Sequence, residues 1–199
     1  MTNKLSRAYE SIDRGLVTIA NAVVKPYNWA TGGTKAQLAN RLLDGLPIGF
    51  TINTLNTNIV FGGVLSPIML LLTHSMQKQN SYIENRELSA REKNCLDQLV
   101  ESKKKICTQL ALFYGALGIA DYVLACVDKR DGYIIDNKTS DIIGAIGWGL
   151  ASLSNVVMKA DYVPPRKSVI ERTQDKFIKL IEEHKQKQAA LPLPSLFYN

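Results

Sequence analysis

"SDIIGAIGWGLASLSNVVMKADYVPP" runs from Ser140 to Pro165. Between Asp141 and Lys159 it carries no charge, yet it holds glycines, serines and an asparagine. Such a run suits either a bilayer or the core of a soluble helical protein, and its small residues help to separate the two. Gly144, Gly147, Ala151 and Ser154 recur three and four positions apart and form one face without bulk. Upstream, Ala111, Gly115, Gly118 and Ala125 make a similar face, interrupted by Tyr122. Glycine inside a soluble helix costs up to about 1 kcal/mol relative to alanine, so several of them need a packing reason. The close approach of two helix backbones, usual where lipid is the alternative neighbour, supplies one. The fold expected is therefore all-α and membrane-associated: a two-helix transmembrane hairpin, 106–127 and 142–158, accompanied by amphipathic helices. These spans sit at the lower length limit for a bilayer crossing, and a soluble helical bundle is the alternative.

Charge placement bears on the same question. The chain has 199 residues, a net charge of +6 and 24 Lys and Arg. With the hairpin as the only span, all but three of those cations, Lys129, Arg130 and Lys138, share the side of both termini. Positive-inside orientation makes that side cytosolic and the chain a multi-pass membrane protein. Lys103, Lys104 and Lys105 stand where a charged helical stretch turns apolar, and lysines snorkel toward headgroups at such a boundary. The basic balance favours anionic headgroups as a partner. Aromatic residues make up 8%, with no basic run interleaved among them, which argues against nucleic acid. Cys95, Cys107 and Cys126 are widely spaced and odd in number, as expected of reduced thiols. Asp121 is an intramembrane polar residue; it lies about two turns from its helix end, near the far headgroups or bonded to its partner helix in the hairpin.

The rest of the chain divides into amphipathic and interfacial helices (1–88), a long helix with the hairpin (89–160), and a cytosolic helix with an extended tail (161–199). In residues 4–25, Leu5, Tyr9, Ile12, Leu16, Ile19 and Val23 make one apolar stripe that ends at Pro26. That stripe either covers a core or lies in a membrane interface. Thr34 and Gln37 form a capping box for a short helix over 36–46. The uncharged stretch 45–77 reads as two short pieces, the second starting at Ser66-Pro67, with one kinked span as the alternative. A second capping box, Ser89 and Glu92, opens a helix to Val127, roughly 55 Å long at 1.5 Å per residue. A third, Ser168 and Glu171, opens the last helix.

A charged helix leading into "LGIADYVLACV", a loop, and then "IIGAIGWGLASLSNVV" resembles the C-terminal part of the peroxin-11 family of peroxisomal membrane-elongation proteins. The resemblance covers roughly residues 85–160 and is carried by Gly144, Gly147, Ser152 and Leu153, with Asp121 upstream. The family's N-terminal signature is not found, and the loop and tail are longer than usual. The resemblance implies a peroxisome-type membrane, cytosolic termini, and membrane bending by amphipathic helices, for which 4–25 and 36–46 are the candidates.

No catalytic constellation accompanies these features. His74 and His184 are the two histidines, and neither falls in a nucleophile motif. Metal-ligand spacing is absent from the sequence, and no cofactor is expected. Three functions follow: a non-enzymatic protein that shapes or organises a membrane, a small accessory subunit of a larger membrane complex, or a soluble helical interaction protein. The expected partners are the lipid bilayer and either further copies of the chain or other subunits of a membrane complex.

Overall fold

A computed structural model describes residues 2–93, 96–127 and 135–189. Their order is α1 (Thr2–Thr31), α2 (Lys35–Leu43), α3 (Gly45–Thr57), α4 (Ile59–Glu92), α5 (Leu96–Val127), α6 (Asn137–Met158) and α7 (Val169–Ala189). The described residues contain no strand, so the chain is all-helical as expected. Cys95, Lys129, Arg130 and Asp131, and the side chain of Leu5, lie outside the described residues.

Local chemistry sets most of the boundaries, though not always where the sequence suggested. The Thr34–Gln37 capping box is present and starts α2. Asp44 separates α2 from α3 without leaving helical geometry, so the two run on as nearly one rod. Asn58, not Ser66, opens α4: its side chain accepts a hydrogen bond from the Phe61 amide at 3.0 Å. Pro67 is consequently carried inside that helix. Pro26 likewise lies inside α1. Ala22, whose carbonyl the proline ring leaves unpaired, is exposed along with Pro26, so solvent can serve that carbonyl. Ser89 does not start a helix either. α4 continues through it to Glu92, and the expected single long helix is instead the end of α4 followed by α5.

Pairings along the helices fix their directions. Lys35 meets Glu87 and Asn40 meets Asn80, so α2 runs antiparallel to α4. Tyr114 meets Met76 and Lys103 meets Glu87, so α4 runs antiparallel to α5. Ser152 donates to the Ala111 carbonyl at 2.7 Å, while a Cβ at Gly118 would sit 3.2 Å from the Ala145 carbonyl, so α5 and α6 are antiparallel too. The result is an up-and-down bundle with four legs: α2–α3, α4, α5 and α6. Asn56 and Asn137 are bonded at one end, at 2.9 Å. α1 and α7 lie at the other end, where the Arg172 guanidinium donates to the Trp29 carbonyl at 2.6 Å.

Three of these helices, α4, α5 and α6, are long and apolar enough to cross a membrane. They are not equivalent. Half of the most apolar stretch of α6 is buried inside the protein, against 11% for α4 and 17% for α5. α6 is the central leg, and α4 and α5 turn their apolar side chains outward. Val60 is 78% exposed, Leu71 70% and Ile119 67%, with Phe61, Val64, Phe113 and Val123 also bare. An exposed apolar surface this continuous marks a face made for an apolar neighbour. Inside the bundle, Leu43, Leu46 and Ala151 are covered by Met69, Met76, Tyr114 and Trp148. The Tyr114 and Trp148 rings stack with centroids 5.8 Å apart.

Within the bundle, α3 makes close backbone approaches on two sides. A Cβ on Gly49 would lie 2.7 Å from the Ile143 carbonyl and 3.0 Å from Gly147 Cα. One on Gly62 would lie 2.6 Å from the Leu55 amide nitrogen. α3 is thus wedged against α6 on one side and the start of α4 on the other.

Candidate functional site

The α1 end of the bundle holds a cluster of buried charges. It begins with the C-terminus of α6, where Val157, Met158 and Ala160 are fully buried. A helix end leaves its last carbonyls without intrahelical partners and carries partial negative charge. Burial denies those carbonyls water. The turn that follows serves Val156 and Val157, and its own Ala160 carbonyl accepts from lysines of two other helices, Lys35 of α2 at 2.9 Å and Lys103 of α5 at 3.0 Å. Glu87 of α4 lies between the two ammonium groups. It pairs with Lys35 and stands 3.3 Å from Lys103. Lys35, Glu87 and Lys103 are 1%, 3% and 5% exposed.

A second group adjoins the first. Lys159, directly after α6, pairs with Asp13 of α1 and donates to Thr108 of α5. Thr108 donates to Asp13 at 2.7 Å, and Lys159 also reaches the Lys104 carbonyl at 3.2 Å. Five helices are tied together in this way: α1, α2, α4, α5 and α6. The inventory is three buried lysines and two buried carboxylates.

The charges perturb one another. Burial, and then the neighbouring Lys103, bring Lys35 down to about 8, against the pull of Glu87. At Asp13, burial works to raise the carboxyl, but hydrogen bonds from Lys159 and Thr108 outweigh it and hold the group below its usual value. Lysine with a lowered pKa can serve as a base or nucleophile. Here the Lys35 ammonium is already engaged by Glu87 and the Ala160 carbonyl. Among the described residues no group of three or more metal-ligating side chains comes together.

The residues singled out from the sequence fall as follows. Lys103, expected to snorkel from an exposed position, is instead buried inside the cluster, held by Glu87 and the Ala160 carbonyl. Lys104 and Lys105 are exposed, and Lys105 pairs with Glu101 at 3.2 Å. Ala111, Gly115 and Gly118 of α5 do face α6, toward Ser152, Ala145 and Trp148. The small face of α6 is turned mainly toward the α2–α3 leg, with Gly144 also reaching α5. Gly147 meets Gly49, Gly45 and Leu46 of the α2–α3 leg, and Gly144 meets Asn53 of α3 and Asp121. Ala151 is buried against Leu43 and Leu46, and Ser154 is 1% exposed. Asp121 accepts from Asn53 Nδ2 of α3 at 3.2 Å, a helix outside the expected hairpin. On α1, Leu16 packs on the core together with Ala20 and Val24. Ile12 and Ile19 are 46% and 51% exposed, Val23 is exposed too, and Tyr9 is half-buried. The expected stripe is therefore split between two environments.

Asp13, Lys35, Glu87 and Lys159 were not anticipated. One local signal was available. Lys35 occupies the first position of α2, where a cation faces the positive pole of its own helix. A residue so poorly placed locally calls for a tertiary partner. Nothing in the spacing of Glu87 or Asp13 identifies either as that partner. Compared with family models, curated proteins and solved structures, the chain matches none.

Proposed function

We propose that this chain is a non-enzymatic membrane protein that shapes or organises a membrane. In this reading α4, α5 and α6 cross the bilayer, with α3 as a short fourth leg packed among them. Four legs return the chain to its starting side, so both termini share the basic, cytosolic side. The observation that carries the reading is the bare apolar surface of α4 and α5, beside helices joined through glycine. In water each such side chain forgoes about 1.5–3 kcal/mol of burial. α1 supplies the shaping element. Its inner face is anchored by Asp13, Leu16, Ala20 and Val24, while Ile12, Ile19 and Val23 remain available to headgroups. The peroxisome-type membrane implied by the resemblance belongs to the proposal and rests on the sequence similarity alone.

The test uses the full-length protein in vesicles. Ile12→Asp puts a charge on the exposed flank of α1 without touching the core face. It is expected to abolish vesicle tubulation or deformation while leaving thermal stability within about 0.5 kcal/mol, as for other surface changes. Arg14→Gln is expected to weaken deformation only at low salt, where electrostatic attraction is unscreened. Unchanged deformation by Ile12→Asp would remove α1 from the mechanism. A protein released from membranes by alkaline carbonate would remove the membrane reading as a whole.

α7 favours a second reading, an accessory subunit of a larger membrane complex. Ile170, Phe177, Ile178 and Ile181 lie 53–70% exposed on a helix that packs on α1. An amphipathic helix this bare is suited to a groove on another subunit.

A further inference from the structure

Beside the buried cluster lies a cleft of about 310 Å³, walled by α1, the end of α4, the start of α5 and the segment after α6. That size is at the lower end of small-molecule sites. Lys103 and Lys159 form its floor with Glu87, and Arg91, Lys104 and Asp161 stand at its rim. Four cations thus face two carboxylates. Both carboxylates are already engaged. Glu87 is shared between Lys35 and Lys103. Asp161 accepts from Asn21 Nδ2 at 2.9 Å. Asp13, which serves Lys159, is not among the residues lining the cleft. The floor ammonium groups are engaged too, Lys103 by Glu87 and the Ala160 carbonyl and Lys159 by Asp13, Thr108 and the Lys104 carbonyl, so they add a fixed positive field while the exposed Arg91 and Lys104 side chains supply the donors for an anion. We propose that the cleft binds a phosphate group, as a mono- or diester, with Arg91 and Lys104 closing over the oxygens. Arg91 already lies over the Tyr162 ring, 5.2 Å from its centroid, which holds the guanidinium at the rim. Lys103 is three residues, about 4.5 Å of helix rise, before Ile106, where α5 turns apolar, so a phospholipid headgroup can reach the cleft as well as a soluble phosphate ester. The inference goes beyond the membrane-organising reading and does not depend on it.

Arg91→Gln/Lys104→Gln is the variant of choice, because both side chains are exposed and lie outside the buried ion pairs. Lys176→Gln/Lys179→Gln on α7, which contributes no residue to the cleft lining, removes the same charge. The full chain in neutral detergent is titrated with inorganic phosphate against chloride at matched ionic strength, following thermal stability. The same proteins are then placed in phosphatidylcholine nanodiscs with and without phosphatidic acid. Stabilisation by phosphate that is weakened about tenfold or more in the rim variant, but not in the α7 variant, supports the proposal with a soluble ester as ligand. Stabilisation by phosphatidic acid alone, with the same dependence on the rim, supports it with lipid as the source. No stabilisation by either probe, or equal loss in both variants, overturns it.

Discussion

Glu87→Ala is expected to cost about 3–5 kcal/mol of stability, the penalty for removing one partner of a buried ion pair. The loss follows from what remains: Lys35 and Lys103 both still point at the Ala160 carbonyl, with no carboxylate between them. The exposed pair of Glu101 and Lys105 gives the control, and Glu101→Ala is expected to change stability by no more than about 0.5 kcal/mol. The deficit carries a pH signature. Lys35 loses its proton in the folded protein near pH 8, against 10.5 for an unperturbed lysine. Between those values the unfolded chain binds more protons, so stability rises with pH there. Glu87 acts to raise the Lys35 pKa, so its removal lowers that value further. Below about pH 8 the variant then holds fewer protons than the wild type, and its deficit shrinks as pH rises. Thermal unfolding in detergent at pH 6 and pH 8.5 is expected to show the larger gap at pH 6. A gap independent of pH would mean that Glu87 supports packing and not charge.

Gly49→Leu is expected to be strongly destabilising within the apolar part of the bundle. A Cβ alone would press on the Ile143 carbonyl and on Gly147 Cα, both backbone atoms that cannot rotate aside. Overpacking in a tight core costs about 1–3 kcal/mol, and contact with a neighbouring backbone puts this site at or above the upper figure. α3 would be forced off α6, with loss of the Asn53–Asp121 bond as a consequence. Gly63→Ala sits at the opposite extreme. Nothing lies within 4 Å of its added Cβ, and alanine is the better helix former, so stability is expected to hold or rise by up to about 1 kcal/mol. Resistance to unfolding in detergent separates the two. Equal behaviour would place the helix contact somewhere other than Gly49.

The helical character of the chain was legible because caps and apolar periodicity are local. Thr34 and Gln37 signal a helix start whatever surrounds them, and they do start α2. Small-residue faces were also legible, yet their partners were not. Gly147 meets Gly49, and the sequence around Gly49, "LPIGFTIN", has too few small residues to advertise a matching face. Ser66-Pro67 and Ser89–Glu92 looked like helix starts. In each case a neighbouring segment continues the helix through them, since tertiary packing outweighs a cap of roughly 1 kcal/mol. The charge cluster was least legible. Lys103 stood at a charge boundary where lipid headgroups are the ordinary partner, while its actual partner, Glu87, belongs to a different helix. Long-range ion pairs leave no periodic trace in a sequence.

The central position of α6 governs the order in which the protein can assemble. It is the last of the four legs to leave the ribosome and the least apolar of the three long candidates, with a mean hydropathy of 1.4 against 1.7 and 1.9. Until it arrives, the Gly49 side of α3 and the Ala111–Gly118 side of α5 face no partner. The terminus that gathers Lys35 and Lys103 is likewise missing. A nascent chain halted before Asn137 therefore holds the first five helices without the one that α3 and α5 both pack against, and two lysines with a single carboxylate between them. Synthesis of the final leg converts that loose intermediate into a closed unit, which makes the interval between α5 and α6 the stage at which quality control would recognise this protein as unfinished.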